Sequence, residues 1–376
     1  MAGTWKIHNP SGDKRILVTR NLPGTEWLTI LKTEGYRVEV WTGDETLSTD
    51  RISEAIGVKC TAVIGQLTEK WDAAMFDKLA KAGGITYSNY AVGFDNVDIE
   101  AATRNRIAVG NTPGVLTEAT AEMAVALTMA CARRITESDT FTRNGSFKGW
   151  LPDLFLGKLL WKGTLGIIGT GRIGSAFARM MIKAFQMNLV YFDNRKNATM
   201  ESEIDLYNQY LTKCGSDPVK VVFAGKIEDV LKKSDVLSLH VPLTGNTRHL
   251  IAKPQLQLMK PDAILVNTSR GAVINEADLA EHCRQNPGFS AGLDVYEFEP
   301  AINEGLMKLP NVTLAPHIAS GTIWSRENMS KLAALNVKGV IEKYPLWDKG
   351  AIDPFLGDYT PEAIPSILNG AVLKGL

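Results

Sequence analysis

Six residues constrain this chain more than any others: Gly169-Thr170-Gly171-Arg172-Ile173-Gly174. They follow an apolar run, Leu165 to Ile168, and open an amphipathic stretch, Ser175 to Phe185. A second apolar run, Leu189 to Phe192, ends in an acid, Asp193, 19 residues past Gly174. The chain has 33 glycines, so this spacing alone arises by chance, and the order around it carries the argument. Strand, glycine turn, helix, strand and acid is the order of a dinucleotide-binding βαβ unit, whose acid stands about 20 residues on and takes the ribose hydroxyls. Gly169 permits the tight turn, Gly171 the approach of a pyrophosphate to the backbone, and Gly174 the packing of helix on strand. The pyrophosphate then sits on the unpaired N–H groups of the helix start.

The rest of the chain repeats this alternation. Strands are expected at Arg15–Thr19, Arg37–Trp41, Ala62–Gly65 and Ile85–Ser88, with helices around Trp27–Leu31 and Phe76–Ala82. No glycine fingerprint appears there, so this first unit is not expected to bind a nucleotide. A long helical pattern covers Glu118 to Ile135, and a less regular, aromatic-rich arm follows over Arg143 to Lys162. Six further strands are expected, at Thr164–Ile168, Leu189–Phe192, Val236–Leu239, Ala263–Asn267, Ser290–Asp294 and Val312–Ala315. Thr199 to Ala224 is longer than a minimal connection and holds a helical piece, Ile204–Leu211. Trp324 to Ile341 reads as a helix able to return to the first unit. The expected fold class is therefore α/β, with two Rossmann-like domains built on parallel sheets. Residues 1–117 form the first part of a discontinuous substrate domain. Residues 118–318 form the dinucleotide-binding domain, with a dimerisation arm near 143–162, and 319–376 return to the substrate domain.

Composition narrows the class of function. Basic and acidic residues balance at 41 each, so no bulk field favours nucleic acid or an anionic membrane. The longest apolar stretch, Ala121 to Ala132, is interrupted and too short to span a bilayer, and no signal-peptide core opens the chain. Met1-Ala2-Gly3 does not fit an acylation site. Cys60, Cys131, Cys214 and Cys283 form no C-x-x-C and stand at no metal-ligand spacing, so free thiols and no metal are expected. These features describe a soluble, intracellular protein. The terminal Lys374-Gly375-Leu376 shares the final Leu of a peroxisomal tripeptide and lacks its Ser.

Three residues beyond the glycine turn can do chemistry. Arg270 follows a buried strand in Asn267-Thr268-Ser269-Arg270-Gly271, where open α/β sheets bind ligands. Its planar fork suits a carboxylate, and a surface ion pair is the plainer reading. Glu299 ends Asp294-Val295-Tyr296-Glu297-Phe298-Glu299, and His317 lies in Pro316-His317-Ile318-Ala319-Ser320. Histidines are more often structural, but this chain has only 5, and His317 closely follows an apolar strand. A carboxylate beside an imidazole stabilises its protonated form and fits it to donate a proton near neutral pH. Hydride addition to a carbonyl leaves an alkoxide that needs such a proton. Arg270 to hold and polarise, His317 to donate and Glu299 to tune His317 make a sufficient set.

The order GTGRIG, Asp193, HVPLT from His240, NTSRG, GLDVYEFEP and PHIAS resembles the D-isomer-specific 2-hydroxyacid dehydrogenases over nearly the whole chain. Within that family, IGQLTE, YSNYAVGFDNVD, NTPGVLTEATAE, GWLPDLF and the segment from Thr199 to Ala224 are most similar to hydroxypyruvate reductases of the plant photorespiratory type. The resemblance implies reduction of hydroxypyruvate to D-glycerate, with glyoxylate a poorer substrate. It implies that Arg270 grips the 2-oxo acid, that His317 is the acid and base with Glu299 as its partner, and that the amides of Val92 and Gly93 bind the substrate carboxylate. Gly169, Gly171, Arg172, Ile173, Gly174 and Asp193 would hold the dinucleotide. His240, Pro242, Thr268 and Ser269 would line it, and Asp294 would face the nicotinamide amide. Trp150 either reaches the substrate pocket of a neighbouring subunit in a homodimer or is a plain interface residue.

Asp193 favours NADH, because its charge repels a 2′-phosphate. Arg195 and Lys196 follow it and either offset that charge, admitting some NADPH, or belong to a solvated loop. Family members such as phosphoglycerate dehydrogenase remain the nearest alternative. Formate dehydrogenases carry Gln rather than Glu beside the histidine, which Glu299 opposes. A corepressor-like NADH sensor is an alternative of another class. The resemblance suggests a peroxisome or mitochondrion, with the cytoplasm open.

Overall fold

The computed structural model describes Gly3 to Gly375. Met1, Ala2 and Leu376, on which the acylation and tripeptide readings bear, lie outside the described residues. The chain divides into two compact units: the residues up to Leu116 together with those from Gly321 onward, and Thr117–Ser320.

The first unit runs β1 (Trp5–His8), β2 (Arg15–Val18), α1 (Glu26–Thr33), β3 (Arg37–Trp41), α2 (Thr49–Ile56), β4 (Ala62–Gly65), α3 (Ala73–Lys81), β5 (Thr86–Asn89), α4 (Ile99–Arg104) and β6 (Ala108–Gly110). The second holds α5 (Thr117–Ala132), α6 (Ile135–Arg143), β7 (Thr164–Ile168), α7 (Arg172–Phe185), β8 (Asn188–Phe192), α8 (Ala198–Lys213), β9 (Val221–Phe223), α9 (Ile227–Lys233) and β10 (Val236–Leu239). It continues through α10 (Lys253–Leu256), β11 (Ile264–Asn267), α11 (Glu276–Gln285), β12 (Ser290–Leu293), α12 (Glu304–Met307) and β13 (Val312–Leu314). The last long helix, α13 (Ile323–Ile341), packs on α1, β4, β5 and β6 and so belongs to the first unit.

The sheet of the first unit has the order β1-β3-β2-β4-β5-β6. All its pairs are parallel except β1 with β3, an antiparallel edge. The second sheet has the order β13-β12-β11-β10-β7-β8-β9 and is parallel throughout. Its central strands are buried on both faces, which is why they read as continuous apolar runs rather than alternating ones. Strand order reverses at β7, between β10 and β8. That is the switch point where doubly wound sheets open a crevice for a ligand.

Several elements depart from expectation: β1 and β6 join the four strands expected in the first unit, and two differences in the second unit have a clear physical reason. The helix expected from Glu118 to Ile135 ends at Ala132, and α6 starts afresh after Arg134. Arg134 has φ +51, a left-handed backbone that neither Gly nor Pro announces. One local and one longer-range contact hold it there: its guanidinium donates to both oxygens of Glu137, three residues on, at 2.8 and 2.9 Å, and lies 5.0 Å from the Phe155 ring centroid. The segment Thr199 to Ala224 adds a seventh strand, β9, to the six expected. Three residues are too short a run to announce a strand, and pairing with β8 decides it. Among the described residues no helix is long and apolar enough to cross a membrane.

Candidate active site

Each chemical residue of the second unit stands just past the carboxyl end of a strand. Because the sheet reorders the chain, their order along its edge is His317 after β13, Asp294 after β12, Arg270 after β11, His240 after β10, the glycine turn after β7 and Asp193 after β8.

The glycine turn has the geometry a dinucleotide requires. Gly169 has φ +92, and a Cβ there would stand 2.5 Å from the carbonyl oxygen of His240. A Cβ on Gly174 would stand 2.1 Å from the carbonyl oxygen of Gly169, so only hydrogen lets α7 seat against the turn. At Gly171 a Cβ would meet nothing within 4 Å, leaving an open cradle. Gly171 caps α7 without a side-chain hydrogen bond, so the first N–H groups of a 14-residue helix face this opening. Arg172 is exposed beside it, and Ile173 packs down onto the core. A cavity of about 290 Å³ opens here, lined by Thr170, Gly171, Arg172 and Ser175 among others.

Asp193 is half-buried and fixed to the turn. One carboxylate oxygen accepts from Thr170 N, at 2.7 Å, and from Thr170 Oγ1, at 2.9 Å; the other accepts from Asn194 N at 2.7 Å. Each oxygen keeps lone-pair capacity for a hydroxyl donor. Lys196 is committed to Glu201 at 2.8 Å, whereas Arg195 is exposed and forms no ion pair among the described residues. The ring of His240 packs 5.4 Å from that of Phe177, with Nε2 2.9 Å from Ser238 Oγ. Burial pushes its pKa down to about 3, so it stays neutral and lines the groove without donating a proton as an imidazolium. Pro242 is exposed, and its carbonyl accepts from Thr247 Oγ1 at 2.6 Å. Thr268 is 7% exposed and its hydroxyl has no partner among the described residues, an orphaned polar atom at the strand end. Together these residues fit a dinucleotide.

His317 and Glu299 lie at the other end of the edge. His317 Nδ1 is 2.8 Å from Glu299 Oε2, and Glu299 Oε1 accepts from Tyr296 N at 2.9 Å. His317 Nε2 has no partner among the described residues. Burial pushes the Glu299 carboxyl up, but the His317 bond and charge, the Tyr296 N–H and the Arg270 charge outweigh it and hold it below its ordinary value of 4.5. His317 has φ +53, a left-handed backbone held from below. Its N–H donates to the carbonyl of Asp294, and the two carboxylate oxygens of Asp294 accept from Ile318 N at 2.8 Å and Ala319 N at 2.7 Å. Asp294 is wholly buried, and that burial raises its pKa in spite of these bonds.

Sequence reasoning missed this anchoring task, and it missed Asn267. Asn267 is wholly buried at the end of β11. Its Nδ2 donates to the carbonyl of Arg270 at 2.9 Å, and its Oδ1 accepts from Ser269 N and Ser269 Oγ. The Ser269 hydroxyl is thus spent on shaping the loop that presents Arg270. Gly271 then lets that loop press on the one carrying Glu299, since a Cβ would stand 1.8 Å from the Tyr296 carbonyl carbon. The only signal for Asn267 was a polar residue ending an apolar strand.

In the first unit, Val92 and Gly93 lie in the loop after β5. Among the described residues neither N–H has an acceptor, although the carbonyls of Ala91, Val92 and Gly93 are each engaged. Trp150 is 82% exposed in the arm and makes no hydrogen bond or ring contact with Arg270, Glu299 or His317. A cavity of about 850 Å³ lies at the amino-terminal ends of β11, β12 and β13 and includes none of these residues.

Comparison with known proteins agrees with this geometry. Residues 125–319 match the family described as D-isomer specific 2-hydroxyacid dehydrogenase, NAD binding domain. The peroxisomal glycerate dehydrogenase of Arabidopsis thaliana is 50% identical over 372 residues, covering 98% of this chain and 96% of its own. The glyoxylate reductase of Thermococcus litoralis is 42% identical over 327 residues, covering 86% of this chain and 92% of its own. A crystal structure of a Thermus thermophilus protein superposes with a TM-score of 0.76 at 37% identity, covering 87% of this chain and 97% of that one. A glycine cradle, an acid fixed to it and a carboxylate-paired histidine on one strand edge, with these matches, make the chain a member of the D-isomer specific 2-hydroxyacid dehydrogenase family.

Proposed function

We propose that this enzyme reduces hydroxypyruvate to D-glycerate with NADH, and glyoxylate to glycolate less well, in photorespiratory glycolate and serine metabolism. The observation that carries the chemistry is His317, with Nδ1 against Glu299 at 2.8 Å and Nε2 left open. Likeness to a glycerate dehydrogenase over 98% of the chain supports the substrate. NADH supplies the hydride to the carbonyl carbon of the 2-oxo acid. The fork of Arg270 holds the acid and polarises that carbonyl. As charge builds on its oxygen, Nε2–H of His317 delivers the proton that completes the hydroxyl. Glu299 holds Nδ1–H, which fixes the ring and leaves Nε2 to face the substrate. The free N–H groups of Val92 and Gly93 take the substrate carboxylate, and residues up to Leu116 with those from Gly321 onward serve as the substrate domain. Arg172 and the start of α7 take the pyrophosphate, Asp193 the ribose, and His240, Pro242, Thr268 and Ser269 line the cofactor. Asp294 faces the nicotinamide amide in addition to anchoring the His317 loop.

Steady-state rates with hydroxypyruvate, glyoxylate, pyruvate and a phosphorylated 2-oxo acid, each with NADH and NADPH, test this reading. The highest kcat/KM is expected for hydroxypyruvate with NADH. Preference for the phosphorylated acid would make the protein a phosphoglycerate dehydrogenase, and NADH binding without turnover would make it a sensor.

Cofactor choice follows from Asp193. Asp193→Ser removes the charge that repels a 2′-phosphate and leaves exposed Arg195 to attract it. The kcat/KM ratio of NADPH to NADH should rise by about ten-fold or more, the loss expected for a charged hydrogen bond. An unchanged ratio removes Asp193 as the ribose ligand.

A two-fold homodimer is the expected assembly. Trp150 and Leu159 in the arm are 82% and 81% exposed, and Phe147, Leu151 and Leu156 are exposed with them. A patch of this kind marks an interface, at which Trp150 either reaches the partner's substrate pocket or serves as a plain interface residue. Light scattering at micromolar concentration should give twice the mass of one chain, and a monomer there ends this proposal. The peroxisomal relative favours the peroxisome as the compartment, to be tested by imaging a fluorescent fusion.

A further inference from the structure

Within the first unit, three successive carbonyls of the loop after β5 are tied down from the chain that follows β6 and from the end of β5. The carbonyl of Ala91 accepts from Thr112 N at 2.9 Å. The carbonyl of Val92 accepts from Asn111 Nδ2 at 2.9 Å, and that of Gly93 from Asn89 Nδ2 at 2.9 Å. In a trans peptide the N–H points opposite to the carbonyl of the same plane. Tying the Ala91 carbonyl therefore aims the Val92 N–H, and tying the Val92 carbonyl aims the Gly93 N–H. These are the two donors that lack acceptors among the described residues.

Asn111 is itself held at both side-chain polar atoms and at its carbonyl. It is 5% exposed, and its Oδ1 accepts from Ser366 Oγ at 2.6 Å. Its carbonyl accepts from Asn336 Nδ2 at 2.9 Å, and Asn336 Oδ1 in turn accepts from Ser366 N at 2.9 Å. Asn336 lies on α13 and is wholly buried. The Val92 carbonyl settles the orientation of the Asn111 amide: it can only accept, so Nδ2 faces it and Oδ1 is left to take the Ser366 hydroxyl.

We propose that Asn111 is a positioning residue for substrate binding: held by Asn336 and Ser366, it sets the plane of the Val92–Gly93 peptide and so aims the Gly93 N–H at the substrate carboxylate. This rests on the reading of Val92 and Gly93 as the carboxylate site. It gives the segment after α13 a part in substrate affinity, although that segment supplies no ligand of its own.

The test uses the whole enzyme with NADH bound and oxamate, a 2-oxo acid analogue, as the probe. Asn111→Asp keeps size and the acceptor for Ser366 but replaces the donor to Val92 by a carboxylate oxygen. Oxamate Kd and the KM for hydroxypyruvate and glyoxylate should each rise by about ten-fold or more, with kcat and NADH Kd within about two-fold of wild type. Ser366→Ala, which frees the amide to turn, should shift the same constants in the same direction by about two- to five-fold. A fall in kcat or NADH affinity equal to the rise in KM would mark general structural damage and overturn the assignment. If Asn111→Asp does not fold, as judged by circular dichroism, Ser366→Ala decides, and an unchanged oxamate Kd overturns the proposal. Gly93→Pro deletes the N–H itself. Oxamate binding that survives in a folded Gly93→Pro enzyme removes the carboxylate reading of the loop. Binding lost in Gly93→Pro but normal in Asn111→Asp and Ser366→Ala removes only the role of Asn111.

Discussion

Replacing His317 by Ala should lower kcat for 2-oxo acid reduction by about 10²–10⁴-fold, the range that general acid catalysis supplies, while NADH still binds. No other group replaces it at that strand end, since buried His240 stays neutral. Glu299→Gln should act differently. Glu299 is held below its ordinary value of 4.5, so it is an anion throughout the neutral range. The sign follows: a carboxyl depressed on folding adds stability that is complete above its unfolded value and is lost as pH falls through its folded one. In wild type, kcat/KM for reduction should fall as pH drops through the depressed Glu299 value, where the carboxylate that holds His317 Nδ1 becomes protonated. Glu299→Gln should lower kcat/KM and lose that acid limb, while NADH affinity stays close to that of wild type. Superimposable pH profiles would show that Glu299 does not act on His317. A His317→Ala enzyme retaining more than about a tenth of kcat would require another proton donor.

Arg270 carries the second large effect. Arg270→Ala should cost about 10²-fold in kcat/KM for hydroxypyruvate, because a hydrogen bond to a charged group contributes about 1.5–3 kcal/mol and the fork offers two. Arg270→Lys keeps the charge but not the planar pair of donors, so the loss should appear mainly as a higher KM. Equal kcat/KM in wild type and Arg270→Ala would remove Arg270 from the substrate. A kcat loss in Arg270→Lys as large as that of His317→Ala would mean that its charge reaches the reacting oxygen more than the carboxylate. Arg270 also adds to the depression of Glu299, so Arg270→Ala should shift the pH profile slightly as well.

The candidate residues at strand ends were legible because open parallel sheets present ligands there, and strand ends can be read where an apolar run stops. Gly169, Arg270 and His317 each follow such a run within a few residues. The glycine turn was legible for a stricter reason. A left-handed backbone at Gly169 and a contact of 2.1 Å at Gly174 admit no side chain, so the turn leaves its mark as residue type. The left-handed backbone at Arg134 left no such mark. An ion pair with Glu137 and the ring of Phe155 hold an ordinary residue there, and the helix expected to run on to Ile135 stops.

What the amino-acid order determined by itself is therefore local: which segments form strands and helices, where the dinucleotide turn lies, and which polar residues end up at strand termini. The tertiary structure decided their arrangement. Pairing order in the sheet, not position in the chain, sets Asp193 near one end of the edge and His317 at the other, with the glycine turn between them. It also decided where side-chain amides point. Asn111 meets Asn336 across 225 residues and Ser366 across 255, and no periodicity or spacing in one dimension encodes so distant a hydrogen bond. Such contacts form only when α13 and the segment after it close over β6, and that closure depends on packing across the whole unit.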